Sequence, residues 1–111
     1  MTEKKENTQY SPWMPITDIR TLRVLGKAAE ETAELNKALA RAIIQGLDGI
    51  DPHTGKDNKT AILEEIVDVF VSTELVVDLL DPDLRCSVWM TERQHNKFRK
   101  LKEWQEGLLD E

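Results

Sequence analysis

Cysteine, basic residues and long apolar runs are all scarce in this chain of 111 residues. The single cysteine, Cys86, excludes an internal disulfide and a zinc site built on several thiolates. No uninterrupted apolar run approaches the ~20 residues that span a bilayer, and the first residues lack the apolar segment of a signal peptide. Only 15 Lys and Arg stand against 21 Asp and Glu, which gives a net charge of −6. We therefore expect a cytoplasmic protein that binds neither membranes nor nucleic acid, whose phosphates require Lys and Arg.

The polar residues 1–9 predict a disordered tail, followed by a single domain over residues 10–111. Trp13 and Ile16 supply apolar anchors just after that tail, and we expect this extended segment to pack on the fold.

The rest of the chain has the apolar periodicity of helices, and none of it alternates as a strand does. Thr17 is the predicted N-cap of the first helix, which Gly46 ends and whose pattern allows one break near Gly26. The second helix begins after Asp57 or Asn58. Helices are predicted over residues 17–45, 60–80 and 91–109, with a loop over 46–59 and a short helix starting at Asp81 and Pro82.

Apolar residues cover most of the circumference of the second predicted helix, and Asp68 lies among them. A carboxylate in such surroundings needs either a strip of water or a partly buried site with a charged partner. A helix this apolar is buried in more structure than one small chain provides, so a second copy is expected to cover it. The predicted fold is an all-α bundle completed by a homo-oligomer, either a dimer or a dimer of dimers.

Two pairs of carboxylates occur at helical spacing, Glu31 with Glu34 and Glu65 with Asp68. Residues three apart lie side by side on a helix, and an antiparallel arrangement of the two helices would bring the pairs face to face. Four carboxylates repel unless a cation lies between them, and Mg²⁺ prefers oxygen ligands. The pattern predicts a Mg²⁺ site at which Mn²⁺ can substitute.

The first pair also fits a simpler explanation. Glu31 with Lys27, and Glu34 with Lys37, would form solvated salt bridges of ~0.2–0.5 kcal/mol each. The apolar surroundings of Asp68 favour the metal site, because a plain surface role would be costly there.

These acids belong to an EExxE motif at residues 30–34 and an EExxD motif at residues 64–68. The motif pair resembles the signature of the all-α nucleoside triphosphate pyrophosphohydrolases of the MazG type, which include the dimeric dUTP pyrophosphatases. The resemblance covers residues 17–80 and implies hydrolysis of a nucleoside triphosphate to its monophosphate and diphosphate. The metal ligands that it implies are Glu31, Glu34, Glu65 and Asp68.

The loop QGLDGIDPHTGK is similar to one in small phage-encoded relatives, which implies the cytoplasm of a host cell. That likeness suggests a purine deoxynucleotide, dGTP or dATP, as the substrate. In such an enzyme Glu30 or Glu64 would orient the attacking water at the α-phosphate. The candidate substrate-binding residues are Lys56, Lys59, Arg41 from across an oligomer interface, and Trp13, which either stacks on the base or anchors its segment.

The sequence departs from the family pattern after the second motif. Many members carry an asparagine a few turns beyond the aspartate, where this chain has Ser72, Thr73 and Glu74. The departure leaves a second hypothesis, a helical oligomer or adaptor that keeps the bundle without catalysis.

Overall fold

The computed structural model describes residues 11–109, which contain three α-helices, one short 3₁₀ helix and no strand. The all-α prediction is confirmed for this part of the chain; residues 1–9 lie outside it. None of its helices has the length and hydropathy to cross a membrane. The elements in chain order are α1 (Ile19–Gln45), α2 (Asn58–Leu80), the 3₁₀ helix (Leu84–Cys86) and α3 (Val88–Leu109).

The first helix begins one residue later than its predicted cap implied. The Asp18 carboxylate, not Thr17, accepts the Thr21 backbone N–H at 2.8 Å and so caps α1. The helix passes Gly26 unbroken, since one helical glycine costs only about 1 kcal/mol and α1 packs along α2. Its end is the predicted one, at Gly46, whose φ of 89° is a conformation that glycine adopts readily.

Side-chain caps also set the later boundaries. Asp57 accepts the Thr60 N–H at 2.7 Å and starts α2. The 3₁₀ helix follows Asp83 instead of starting at Asp81. The last helix starts at Val88, three residues before the predicted point, because the Ser87 hydroxyl accepts the Met90 N–H at 3.1 Å.

The helices α1 and α2 form an antiparallel hairpin whose register is pinned at its loop. Asn58 is only 2% exposed, and its side-chain amide donates to the Gly46 carbonyl at 2.8 Å and to Gln45 Oε1 at 3.3 Å. A Cβ at Gly49 would lie 2.8 Å from Asn58 Nδ2, so only glycine leaves room for the amide. The buried amide therefore joins the end of α1 to the start of α2.

The third helix extends away from this hairpin. Within the described residues the backbone of α3 lies close to the 3₁₀ helix but not to α1 or α2, and Met90 and Gln94 at its start line a pocket with Phe70 and Val77 of α2. The radius of gyration is 19.3 Å, whereas a compact 100-residue domain has about 13 Å. Ala42 is the sole buried hydrophobic residue of residues 11–109, so one chain assembles almost no core.

Exposed apolar side chains occur on all three helices and include Ile43 and Ile44 at the end of α1. The outer face of α2, turned away from α1, consists of Leu63, Ile66, Val67, Phe70 and Val71. The apolar face of α3 consists of Phe98, Leu101, Trp104 and Leu108.

The segment before α1 does not show the packing that its apolar residues predicted. Residues 11–18 have no regular secondary structure, and Trp13 is 95% exposed.

Candidate metal centre

Three of the four predicted metal ligands meet where α1 faces α2. Glu31 from α1, and Glu65 and Asp68 from α2, each bring a carboxylate oxygen within 4.8 Å of the other two. The antiparallel hairpin produces this arrangement, because the i, i+3 spacing places Glu65 and Asp68 on the side of α2 that faces Glu31.

Glu65 is the most enclosed member of the cluster. Its Oε2 atom is buried and has no hydrogen-bond partner among the described residues. Burial raises the pKa of the Glu65 carboxyl above its usual value, and the charges of Asp68, Glu34 and Glu31 raise it further. A buried carboxylate oxygen without a donor is costly, and a bound cation would remove that cost.

Asp68, in contrast, is exposed. The neighbouring Val67 and Val71 are exposed too, so a single chain does not assemble the apolar environment that the sequence predicted for this carboxylate. The partly buried acids of the cluster are Glu31 and Glu65 instead.

Glu34 lies beside the cluster, not within it. It lines a pocket of about 200 Å³ together with Glu65, and its charge contributes to the raised pKa of Glu65. The pocket is open at the loop end of the hairpin. Its other lining residues are Lys37, Ala38, Arg41, Asp51, Asn58 and Ala61.

The predicted salt-bridge alternative is not found. Lys27 binds Glu30, at 3.0 Å, instead of Glu31. Within residues 11–109 no ion pair joins Lys37 to Glu34, and none reaches Glu65 or Asp68. The negative charge of the cluster is therefore not neutralised by this part of the chain.

The two acids predicted to orient water each lie beside a lysine. Glu64 Oε1 accepts from Lys56 Nζ at 2.8 Å, as Glu30 does from Lys27. The hydrogen bond to Glu64 raises the pKa of the Lys56 ammonium, which stays charged. Lys56, predicted to bind phosphate, is thus held at the edge of the site by an acid.

The other predicted substrate-binding residues are more scattered. Arg41 lines the pocket, where its Nη1 atom lies 3.3 Å from Asp51 Oδ2 within the same chain. Lys59 is exposed near the start of α2, and Trp13 belongs to the exposed segment before α1. Of these three residues, the structure brings only Arg41 close to the acids.

Two residues that line the pocket, Asp51 and Asn58, were not predicted for the site. Asp51 holds Arg41 and also accepts the His53 N–H, which lowers the pKa of the Asp51 carboxyl. Asn58 and Ser72 are buried, and the Ser72 hydroxyl donates to the Val69 carbonyl at 3.2 Å. Asp51 lies in a loop rich in turn-forming residues and Asn58 is the first helical residue after it, where no sequence pattern separates a residue of the site from one that only forms a turn or a cap.

Comparison with known protein families, with curated proteins and with solved structures finds no match.

Proposed function

We propose that this protein is a metal-dependent nucleotide pyrophosphohydrolase that converts a (d)NTP and water to a (d)NMP and diphosphate. The observation that carries the proposal is the cluster of Glu31, Glu65 and Asp68, in which Glu65 Oε2 is buried without a donor. The resemblance of the EExxE and EExxD motifs supports the choice of substrate class.

The donor set fits Mg²⁺, with Mn²⁺ as a substitute, because all of its ligand atoms are carboxylate oxygens. Glu31, Glu65 and Asp68 would hold the ion, with Glu34 at the edge of the cluster. A bound divalent cation would supply positive charge against the phosphate oxygens as negative charge develops on them.

The other charged residues of the hairpin bind the triphosphate and orient the attacking water. Arg41 and Lys37, in the pocket beside Glu34, are the cations that face an incoming triphosphate. Glu64, paired with Lys56, orients water at the edge of the cluster, and Glu30 beside Lys27 is the alternative. A purine deoxynucleotide, dGTP or dATP, is the first substrate to test.

The decisive experiment measures diphosphate release from a panel of NTPs and dNTPs with Mg²⁺ or Mn²⁺. Wild type is compared with Glu34→Gln and Asp68→Asn, and Glu106→Gln on α3 is the matched control. Turnover of one or a few nucleotides, lost in the first two variants and kept in the control, would establish the function. Turnover unchanged by Asp68→Asn would refute the ligand assignment.

A second candidate function is a non-catalytic helical oligomer or adaptor. The large exposed apolar faces of α2 and α3 favour it, as does Ser72 in the region where many pyrophosphohydrolases have asparagine. Metal binding without turnover of any nucleotide in the panel would select this candidate.

A further inference from the structure

The exposed surface of α3 carries three cations that form no ion pair with any residue of 11–109. At about 100° per residue, Arg93, Lys97 and Lys100 fall within ~60° of one another, and we call them the cationic strip. They line a shallow groove with Trp89, Asn96 and one acid, Glu92. The one ion pair within the described part of α3 is Arg99 with Glu103, so Glu92 forms no ion pair with the strip.

The charges of α3 and of the hairpin are complementary. Residues 19–80 hold eleven Asp and Glu against seven Lys and Arg, whereas residues 88–109 hold three acids against five bases. The hairpin has an acidic cluster without basic partners, and α3 has the cationic strip. Within residues 11–109 α3 approaches its own α2 where Met90 and Gln94 line a pocket of about 420 Å³ with Phe70, but no ion pair joins α3 to the hairpin. The cationic strip and the acidic cluster therefore do not pair within the described part of one chain.

The apolar face of α3 and the outer face of α2 are both exposed, and each lies beside the charges of its own helix. On α3 the cationic strip borders the apolar face, of which Trp104 is 64% exposed. On α2 the outer face, with Phe70 63% exposed, borders Glu64 and Asp68. A helix laid apolar face to apolar face would therefore bring cations alongside acids.

The available area is sufficient for a stable association. The accessible surface is 9782 Å², whereas a compact monomer of 12.7 kDa exposes about 6,200 Å². The excess is several times the ~800 Å² that each partner buries in a standard interface.

We infer that a second copy of this chain lays its α3 on the outer face of α2 and completes the metal centre from outside. Its cationic strip then binds the outer phosphates of the triphosphate, while the carboxylates of the first copy hold the metal. The arrangement is reciprocal in a two-fold dimer, which would contain two composite sites. The docking rests on the exposed faces and charges alone, whereas the role of the strip in binding phosphate rests on the proposed function.

Subunit complementation tests whether the strip acts across chains. One chain carries Asp68→Asn and the other carries Arg93→Gln, Lys97→Gln and Lys100→Gln; each is expected to lose about 100-fold or more in kcat/KM. Refolding the two chains together forms heterodimers with one intact site, and about a quarter of wild-type turnover should return. A mixture as inactive as its components would overturn the inference.

The matched control removes the same kind of charge from the other side of α3. Arg99→Gln with Lys102→Gln should keep wild-type kcat/KM, because these residues lie far from the strip around the helix. An equal loss in this control would mean that the charge of α3, not the position of the strip, matters, and would overturn the assignment.

A second readout does not depend on turnover. Asp68→Cys in one chain and Lys97→Cys in another, both with Cys86→Ser, should form a disulfide-linked dimer under mild oxidation only when mixed. The linked dimer without hydrolysis of any nucleotide would refute the proposed function and leave the docking intact. Hydrolysis by a protein that light scattering shows to be a monomer would refute the docking and leave the function intact.

Discussion

The hairpin and α3 differ in what holds them in place. The hairpin is fixed by contacts within one chain: Asp57 caps α2, and the buried amide of Asn58 joins it to α1. Helix α3 is capped by Ser87, but in the described residues its backbone lies close to neither long helix. Local sequence is enough to form all three helices, whereas few contacts in the described residues fix the position of α3.

The largest expected effect comes from a substitution in the metal centre of the hairpin. Asp68→Asn should lower metal-dependent turnover by a factor of about 1,000, because it removes an ion ligand and not a packing contact. It should also abolish the Mg²⁺-induced rise in Tm, a stabilisation of about 2.7 kcal/mol at 100 times Kd in wild type. Diphosphate release and thermal unfolding check the two effects.

The control for that substitution is Asp48→Asn in the exposed loop, which leaves the three clustered carboxylates intact. A Mg²⁺-induced shift that persists in Asp68→Asn at wild-type size would place the ion elsewhere.

The next effect concerns the exposed apolar faces of α2 and α3. Leu101→Glu puts a charge on the apolar face of α3, and Phe70→Glu does the same on the outer face of α2. Each should weaken self-association by about 100-fold, since an unpaired charge is costly to bury in an interface. Sedimentation over a concentration series measures the change.

Far-UV circular dichroism should show unchanged helix content in both variants. Weakened association from only one of the two would mean that the two faces do not contact each other.

A smaller effect tests the hydrogen bonds by which Asn58 joins α1 to α2. Asn58→Ala leaves the Gly46 carbonyl without its donor and should lower the free energy of unfolding by about 1–3 kcal/mol. Asn96→Ala on exposed α3 is the control and should change it by less than about 0.5 kcal/mol. Equal losses in urea unfolding would show that the Asn58 amide does not set the register.

The smallest effect is the pH dependence of the metal-free protein. Because the pKa of Glu65 is raised above its usual 4.5, the native state binds this proton more tightly than the unfolded state does. The stability that results is fully present below the usual value and is lost as pH rises through the raised one. Glu65→Gln should remove this loss from a series of urea unfolding curves.

Added Mg²⁺ should act in the opposite direction, since the ion needs the ionised carboxylate and its stabilisation increases with pH. Identical pH profiles for wild type and Glu65→Gln would show that Glu65 is not the enclosed acid.

Helix positions were predictable to within a few residues because periodicity and caps are local properties. The errors arose where two capping residues compete: Asp18 was preferred to Thr17, and Ser87 starts α3 early. The acid pairs were predictable for the same reason, since i, i+3 spacing is a property of one helix. Which acid is enclosed was not predictable, because burial depends on the facing helix.

The amino-acid sequence by itself therefore determined the all-α class, the two carboxylate pairs and the excess of apolar surface on α2. Only the tertiary structure decided that Glu31, Glu65 and Asp68 cluster while Glu34 lies aside, and that Glu65 rather than Asp68 has the buried oxygen. It also decided that Lys27 and Lys56 neutralise Glu30 and Glu64. The physical reason is range: periodicity and capping act within a turn or two of helix, whereas desolvation and charge pairing depend on what the hairpin brings alongside.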